Sequence, residues 1–548
     1  MKRVLPVLGW IIGVVLMVSG GAVAGSVGPD DLLELPAKPL PAGTRVMVTE
    51  PGLLAYRATT VQVRVTAEQG EAFVGAAHPV DVTSYLGTAH ALRVQRIEPT
   101  GEVAGRLVGE PAAELPESPE ALDIWSERAV GAGEQVVSVT LDGSPVQVLA
   151  QAGPEAALTV GFGARLPGIF VLALTLALVG LGVILLLVAL RLRRRGRTDP
   201  TAVGVAGEAK EQAPAADQPA GVAHRSRLLA GALTITASLA LSGCVSVPEP
   251  AVLPSELRKV AVPADGAKAL LDDYDQRNNA LIAAQVKKPD AKAWAAVDSG
   301  PVLVADRFDT AWHIASREKR SVVSFSHDGA VVHAPSFGAY PMWVITSSEE
   351  AVRPADPKRR AWTEFSVFHR ESARQPWTNH MTASAEGVVA GPAPAVDATA
   401  TSEQVTAAGE LLKTAGRYLE SGQKPTLAVG ELAKLRKGWT EKSAIAARTM
   451  IACQPYRLSE KAAKSVFVVR TEAGSLMLGT LRCTVTVVPP KGHVLTWKPE
   501  MADALGVAAV QTDGLVEHRY VTVAVESTSS APQVLAVDVR TVRPHDTR

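Results

Sequence analysis

The residues best equipped for chemistry are eleven histidines and three cysteines, set among 55 Asp and Glu. Histidine with carboxylate can transfer protons or hold a divalent metal, and each use imposes a spacing. Here the histidines are scattered. No HExxH, no CxxC pair and no clustered His/carboxylate spacing occurs. His327-Asp328 precedes Gly329, with His333 close behind, which predicts a hairpin with His327 as a turn residue. His313 and His369 stand in separate segments that folding could bring together. No GxSxG elbow, P-loop or dinucleotide fingerprint follows a strand, and Gly161-Phe162-Gly163 directly precedes an apolar run. The residue pattern therefore predicts no catalytic, cofactor or metal site.

The cysteines say more about location than about reaction. An odd number is unusual in an exported chain. Leu241-Ser242-Gly243-Cys244 closes a basic-then-apolar segment and resembles a bacterial lipobox, in which the Cys becomes diacylated. Cys244 is thus the expected lipidation site. Cys453 and Cys483 remain, and a disulfide between them would close a loop of ~30 residues and stabilise by roughly 3–4 kcal/mol. The alternative is two buried free thiols.

Three apolar runs must position everything else. Residues 1–25 hold a basic start, Lys2 and Arg3, then Val4 to Ala24, long enough for a transmembrane helix and also shaped like a signal peptide. Residues 166–190 carry no charge and are followed by Arg191, Arg193, Arg194, Arg195 and Arg197. Such a cluster beside a span stays cytoplasmic. Residues 228–244, preceded by Arg225 and Arg227, are too short for a comfortable span and match a lipoprotein signal. The expected path leaves residues 26–165 and 245–548 outside the cytoplasm, with the protein held at the cell membrane. It also suggests a two-span protein fused to a lipoprotein.

Charge is zero overall but uneven. Residues 26–165 carry 9 Lys/Arg against 18 Asp/Glu, whereas residues 245–548 carry 36 against 33. Neither segment has the basic excess of a nucleic-acid binder, so no nucleic-acid partner is expected. Period-two alternation at Arg45-Val-Met-Val-Thr, Thr60-Val-Gln-Val-Arg-Val and Gln135-Val-Val-Ser-Val-Thr-Leu predicts a small all-β antiparallel domain over 26–165, with Trp125 in its core. Residues 191–227 read as a basic, low-complexity cytoplasmic linker, and 245–255 as a Pro-rich tether.

Beyond the tether, two α+β modules are predicted, 256–400 and 401–548, each a helix followed by curved antiparallel strands. Helical spacing runs from Ala264 to Gln285, with Ala267, Leu270, Leu271, Tyr274, Asn278 and Leu281 on one face. On that face Asn278 is expected to be a buried amide tying helix to sheet. Strands are predicted at Ser321 to Ser326, Ala330 to His333, Met342 to Thr346, Glu364 to His369 and Met381 to Ala385. Thr401-x-x-Gln404 forms a candidate capping box. Later strands are Ser465 to Thr471, Leu476 to Val487, Glu517 to Glu526 and Gln533 to Val542. The apolar parity changes at Gly479, which predicts a bulge.

Tyr274-x-x-Arg277-Asn278-Asn279, Gly300-Pro301-Val302-Leu303 with Asp306, Tyr340-Pro341-Met342-Trp343, and Trp377 give residues 253–548 a resemblance to an uncharacterised actinobacterial family of lipoproteins and membrane-anchored proteins. The resemblance implies an extracytoplasmic α+β module like the cone fold of scytalone dehydratase and nuclear transport factors, and it implies no reaction. In such a cone, Asp275, Asp306, Asp309, His313 and Tyr340 are the candidates for acid–base work, and Arg277 with Asp306 a candidate structural ion pair. Trp294, Trp312, Trp343, Trp362 and Trp377 are expected mainly in the core. The expectation is a non-catalytic, membrane-anchored envelope protein that binds an envelope protein, a lipid or a cell-wall component, or acts as a scaffold. Lipid or small-molecule binding in the cone cavity is one alternative, and a cone-fold lyase or isomerase is another.

Overall fold

The computed structural model describes residues 4–110, 119–153, 156–195, 248–317, 319–353, 361–441, 447–456, 465–511 and 514–543. The apolar segment at 228–244, with Cys244, lies outside the described residues. The chain divides into two units, Met1–Leu257 and Arg258–Arg548.

The first unit holds helices α1 (Val4–Val27) and α3 (Ile169–Arg195), separated along the chain by a β domain that carries α2 (Pro79–Leu86). Two segments, Val7–Val27 of 21 residues and Ile169–Arg193 of 25, are long and apolar enough to cross a membrane. The two helices pack closely because small residues face one another. A Cβ at Gly20 would fall 2.5 Å from the Ala173 carbonyl oxygen, and one at Gly180 would fall 2.5 Å from the Met17 nitrogen. Asp31 then caps α3, its carboxylate accepting from the Gly168 and Phe170 amides at 2.8 and 2.9 Å. These backbone hydrogen bonds hold its pKa below the usual carboxylate range.

The β domain is a sheet of ten strands among the described residues. Its main members are β1 (Val46–Thr49), β2 (Tyr56–Ala77), β3 (Ala91–Ile97), β4 (Val103–Val108), β5 (Trp125–Asp142), β6 (Gln147–Ala152) and β7 (Leu158–Arg165). Pairing is antiparallel except between β1 and β3, which run parallel, so the expected all-antiparallel domain is corrected. Strand β2 and α2 together make the long connection between this parallel pair. Trp125 is a packing residue, its ring 5.0 Å from Phe73 and 5.7 Å from Tyr85. The predicted tether is partly structured: Glu249–Pro250 pairs antiparallel with β2, opposite Arg57 and Tyr56.

The second unit, a single compact unit Arg258–Arg548, is built as four layers. Its first sheet is a meander of β8 (Ser324–His333), β9 (Met342–Arg353), β10 (Trp362–Arg370) and β11 (Thr378–Glu386). One face is covered by α4 (Ala267–Lys287) and α5 (Gly300–Ser316). Helix α5 was not predicted from the sequence. The second sheet runs β12 (Pro394–Thr399), β14 (Val466–Thr471), β15 (Gly474–Val488), β16 (Leu515–Thr528) and β17 (Gln533–Val542), with β13 (Arg448–Pro455) pairing β15. Helices α6 (Ser402–Ser421) and α7 (Glu431–Thr440) cover its outer face through Leu412, Leu419, Leu432, Leu481 and Val523. The Thr401/Gln404 capping box starts α6.

The inner faces of the two sheets meet through Trp343, Ile345, Phe365, Phe467, Leu476 and Leu478. This contact explains Gly479. Strand β15 pairs regularly through it, Gly479 lying opposite Val523 and Val466, so the predicted bulge is absent. Apolar residues of both parities occur because the strand is buried on both faces. Gly479 is instead where α6 approaches the sheet, since a Cβ there would lie 3.1 Å from Leu412.

Cys453 and Cys483 stand directly opposite in the β13–β15 register and form a disulfide across 30 residues. Reduction is expected to lower the stability of this unit by about 3 kcal/mol, by the loop-closure argument. Urea titration of the full chain with and without reductant measures it, and coincident second-unit transitions would refute it.

Candidate functional site

A cavity of ≈ 310 Å³ opens between α4, α5 and the sheet face they cover. One wall is apolar, formed by Ile282, Val286, Val302, Val323 and Phe325. The floor is polar: Tyr274, His327, Glu364, Asn379 and Thr382 all line it, and each is more than nine-tenths buried. Strand alternation produces this split, because Phe365 and Val367 face the second sheet while Glu364 and Ser366 face the helices. A bulge between Val367 and Phe368 shifts the register opposite His380 and brings Asn379 to the same side as Thr382, 2.9 Å away.

His327 is the centre of the floor. Its backbone N–H donates to Asp275 Oδ2 at 3.0 Å, and its Nδ1 lies 2.6 Å from Asp275 Oδ1. On the other side, Nε2 is 3.4 Å from Glu364 Oε1. Burial alone would push the His327 pKa down, but the Glu364 and Asp275 carboxylates outweigh it and raise it to about 10. Burial likewise pushes Glu364 up, and His327 reverses this, leaving its pKa lowered. The Ser366 hydroxyl donates to Glu364 at 2.6 Å. His327 is therefore an imidazolium clamped between two carboxylates. It is not the turn residue predicted, because Asp328-Gly329 does not end the strand. It forms a bulge inside continuous β8, with Gly329 at φ +63°.

A second acidic pair lies across the floor. The Tyr274 hydroxyl donates to Asp298 Oδ1 at 3.3 Å, and the side chains of Asp298 and Asp306 hydrogen-bond each other. Burial raises the Asp298 pKa well above the carboxylate range, and Asp306 pushes it further up. Asp306 is raised by burial too, against the pull of Arg540. Arg540 reaches the cavity from β17, 3.7 Å from Asp306 and 2.6 Å from Asp538. The second module thus completes the site built by the first.

Of the sequence candidates, Asp306, Asp309 and His313 line the cavity, Asp275 holds His327, and Tyr340 is not among the lining residues. Asp309 accepts from both terminal nitrogens of Arg320, Nη1 at 2.6 Å and Nη2 at 2.8 Å. The Arg277–Asp306 pair does not form. Arg277 pairs with Asp273 one turn back on its own helix and donates to the carbonyls of Ala296 and Trp377. Asn279, not Asn278, ties helix to sheet, through paired 2.8 Å hydrogen bonds with the Phe325 backbone. Asn278 lines the cavity. Among the tryptophans, Trp343 fills the core between the sheets, whereas Trp294 lines the cavity with its indole N–H on Thr310 at 2.8 Å. Among the described residues, no group of three His, Cys, Asp or Glu is arranged to hold a metal ion. Comparison with protein-family models, with curated proteins and with solved structures finds no match.

Proposed function

We propose that this protein is a membrane-anchored envelope protein whose second unit binds a small polar molecule in the α4–α5 cavity. The observation that carries the reading is the ≈ 310 Å³ cavity with an apolar wall and a buried polar floor. A site of this kind, concave, mostly preformed and with few convergent polar groups, suits a small ligand. The polar floor favours a ligand with hydrogen-bonding groups over a wholly apolar lipid tail.

Three features support the anchored, exported arrangement. Two helices have the length and composition of spans. The Cys453–Cys483 disulfide suits an oxidising compartment. The pairing of Glu249–Pro250 with β2 supports a path in which residues from 249 lie on the β domain's side of the bilayer.

An acid–base enzyme is the second reading, because His327 and a carboxylate meet at 2.6 Å on the cavity floor. The protonation state favours binding. A histidine with its pKa raised to about 10 is no base at neutral pH, where general bases are poised near 7.

Fractions of a small-molecule extract are expected to raise the melting temperature of the full chain in nanodiscs, as mass action requires of a bound ligand. The cavity-filling variant Val302→Trp should lose the shift. The reading fails when no fraction shifts the wild type, or when the filled variant shifts equally.

A further inference from the structure

We infer that the cavity selects an uncharged ligand, a carboxamide carried on an apolar ring or chain, and pairs it with the side-chain amide of Asn278. The inference rests on the binding reading above and adds the ligand's charge and head group.

It follows from which groups around the cavity are already committed. The charged side chains that line it have partners. Arg320 places both terminal nitrogens on Asp309, and Arg540 lies against Asp538 and Asp306. His327 stands between Asp275 and Glu364, Asp306 and Asp298 hydrogen-bond each other, and Glu350 has a partner too. A charged ligand of either sign would have to break one of these pairs or stay unpaired in a partly buried site, and both are costly.

The side-chain amides divide differently. Gln285 exchanges two hydrogen bonds of 2.7 Å with the Asp290 backbone, and Asn379 is held by Thr382 at 2.9 Å. Asn278 lines the cavity half-buried, and its amide bonds to no described residue. It stands one turn beyond Tyr274 of the floor, and Ile282 and Val286 follow at four-residue steps, all of them lining the cavity. Such spacing sets them in one row along α4. The row runs from the buried floor through a free amide to the apolar wall. A carboxamide offers a donor and an acceptor in one plane, which match the acceptor and donor of Asn278 in two parallel hydrogen bonds. Its ring or chain then lies along Ile282 and Val286, and apolar surface on both leaves water.

Three planar probes of nearly equal shape test this on the full chain in nanodiscs of zwitterionic lipid: benzamide, benzamidine and benzoate, which are uncharged, cationic and anionic at neutral pH. Ligand-observed NMR against empty nanodiscs reads their binding. Benzamide is expected to bind about tenfold more tightly than either ion, equivalent to ~1.4 kcal/mol. Asn278→Leu should remove that advantage, and Asn278→Asp, which adds an unpaired carboxylate, should turn the preference to benzamidine. The wild-type ordering stands as a test even where a variant folds poorly. Binding of either ion at least as tightly as benzamide overturns the assignment of an uncharged ligand and leaves the cavity reading intact. A benzamide preference that survives in both variants overturns the pairing with Asn278. Absence of binding by all three overturns the inference, while the cavity reading answers separately to the extract fractions and Val302→Trp.

Discussion

His327→Leu is expected to destabilise the second unit by about 3–5 kcal/mol, the range for removing one partner from a buried ion pair. The side chain is 4 % exposed, and its loss strands the Asp275 and Glu364 carboxylates on the cavity floor. Adding Glu364→Leu should recover part of the loss, because one uncompensated charge is then gone. The same network fixes how stability depends on pH. A histidine raised from 6.5 to about 10 on folding stabilises fully below pH 6.5 and loses that contribution as pH rises towards 10. At roughly 1.4 kcal/mol for each tenfold change in proton affinity, the ceiling is about 5 kcal/mol. Asp298, raised on folding, acts in the same direction above pH 3.8, and Glu364, lowered on folding, opposes it only on acidification below pH 4.5. Wild-type stability should therefore fall between pH 6.5 and 10, whereas the leucine variant, which lacks the imidazolium, should lose much of that fall. Urea midpoints of the second-unit transition across this range check both curves. A flat wild-type profile, or a variant within 1 kcal/mol of wild type at pH 6, contradicts the network.

The sequence reveals this unit where local pattern decides structure and conceals it where distant segments meet. The apolar spacing of Ala267, Leu270, Leu271 and Tyr274 foretells α4, and the Thr401/Gln404 pair foretells the start of α6, because both signals lie within a turn or two of helix. The strand Gln533–Val542 appears at the bounds its alternation suggests. Helix α5 escapes notice because its polar residues are not a solvent face. Ala305 and Phe308 pack inward, while Asp306, Asp309 and His313 line the cavity, so its periodicity is diluted. The charge network is less legible still. Its six members, Asp275, Asp298, Asp306, His327, Glu364 and Arg540, come from five separated segments, and no spacing rule relates them. His327 looks like a turn residue because Asp-Gly follows it, and only tertiary packing shows that this pair is a bulge in an unbroken strand.

Gly180→Leu is expected to separate α1 from α3 and reduce accumulation of the protein in the membrane several-fold, while Gly182→Leu leaves it unchanged. The two glycines sit two residues apart in the same apolar helix. At Gly180 a Cβ would lie 2.5 Å from the Met17 nitrogen and 2.6 Å from the Gly13 oxygen, whereas at Gly182 nothing lies within 4 Å. The obstruction is backbone, which does not swing aside as a side chain would, so the helices must part. Close approach through small residues is how helices associate in lipid, where apolar surface gives no advantage to contact. Gly20 and Gly21 repeat the contrast on α1: the first meets the Ala173 carbonyl at 2.5 Å and the second meets nothing. A signal peptide removed after export has no need of a partner helix, so this fit argues that α1 is retained beside α3. Asp31, just past α1, holds the start of α3. Intact-mass analysis of the extracted protein should find α1 still attached, and immunoblots of membranes should separate Gly180→Leu from Gly182→Leu. Equal levels of the two variants, or a mature chain starting after Ala24, would show that α1 is discarded and that the anchor is α3 without it.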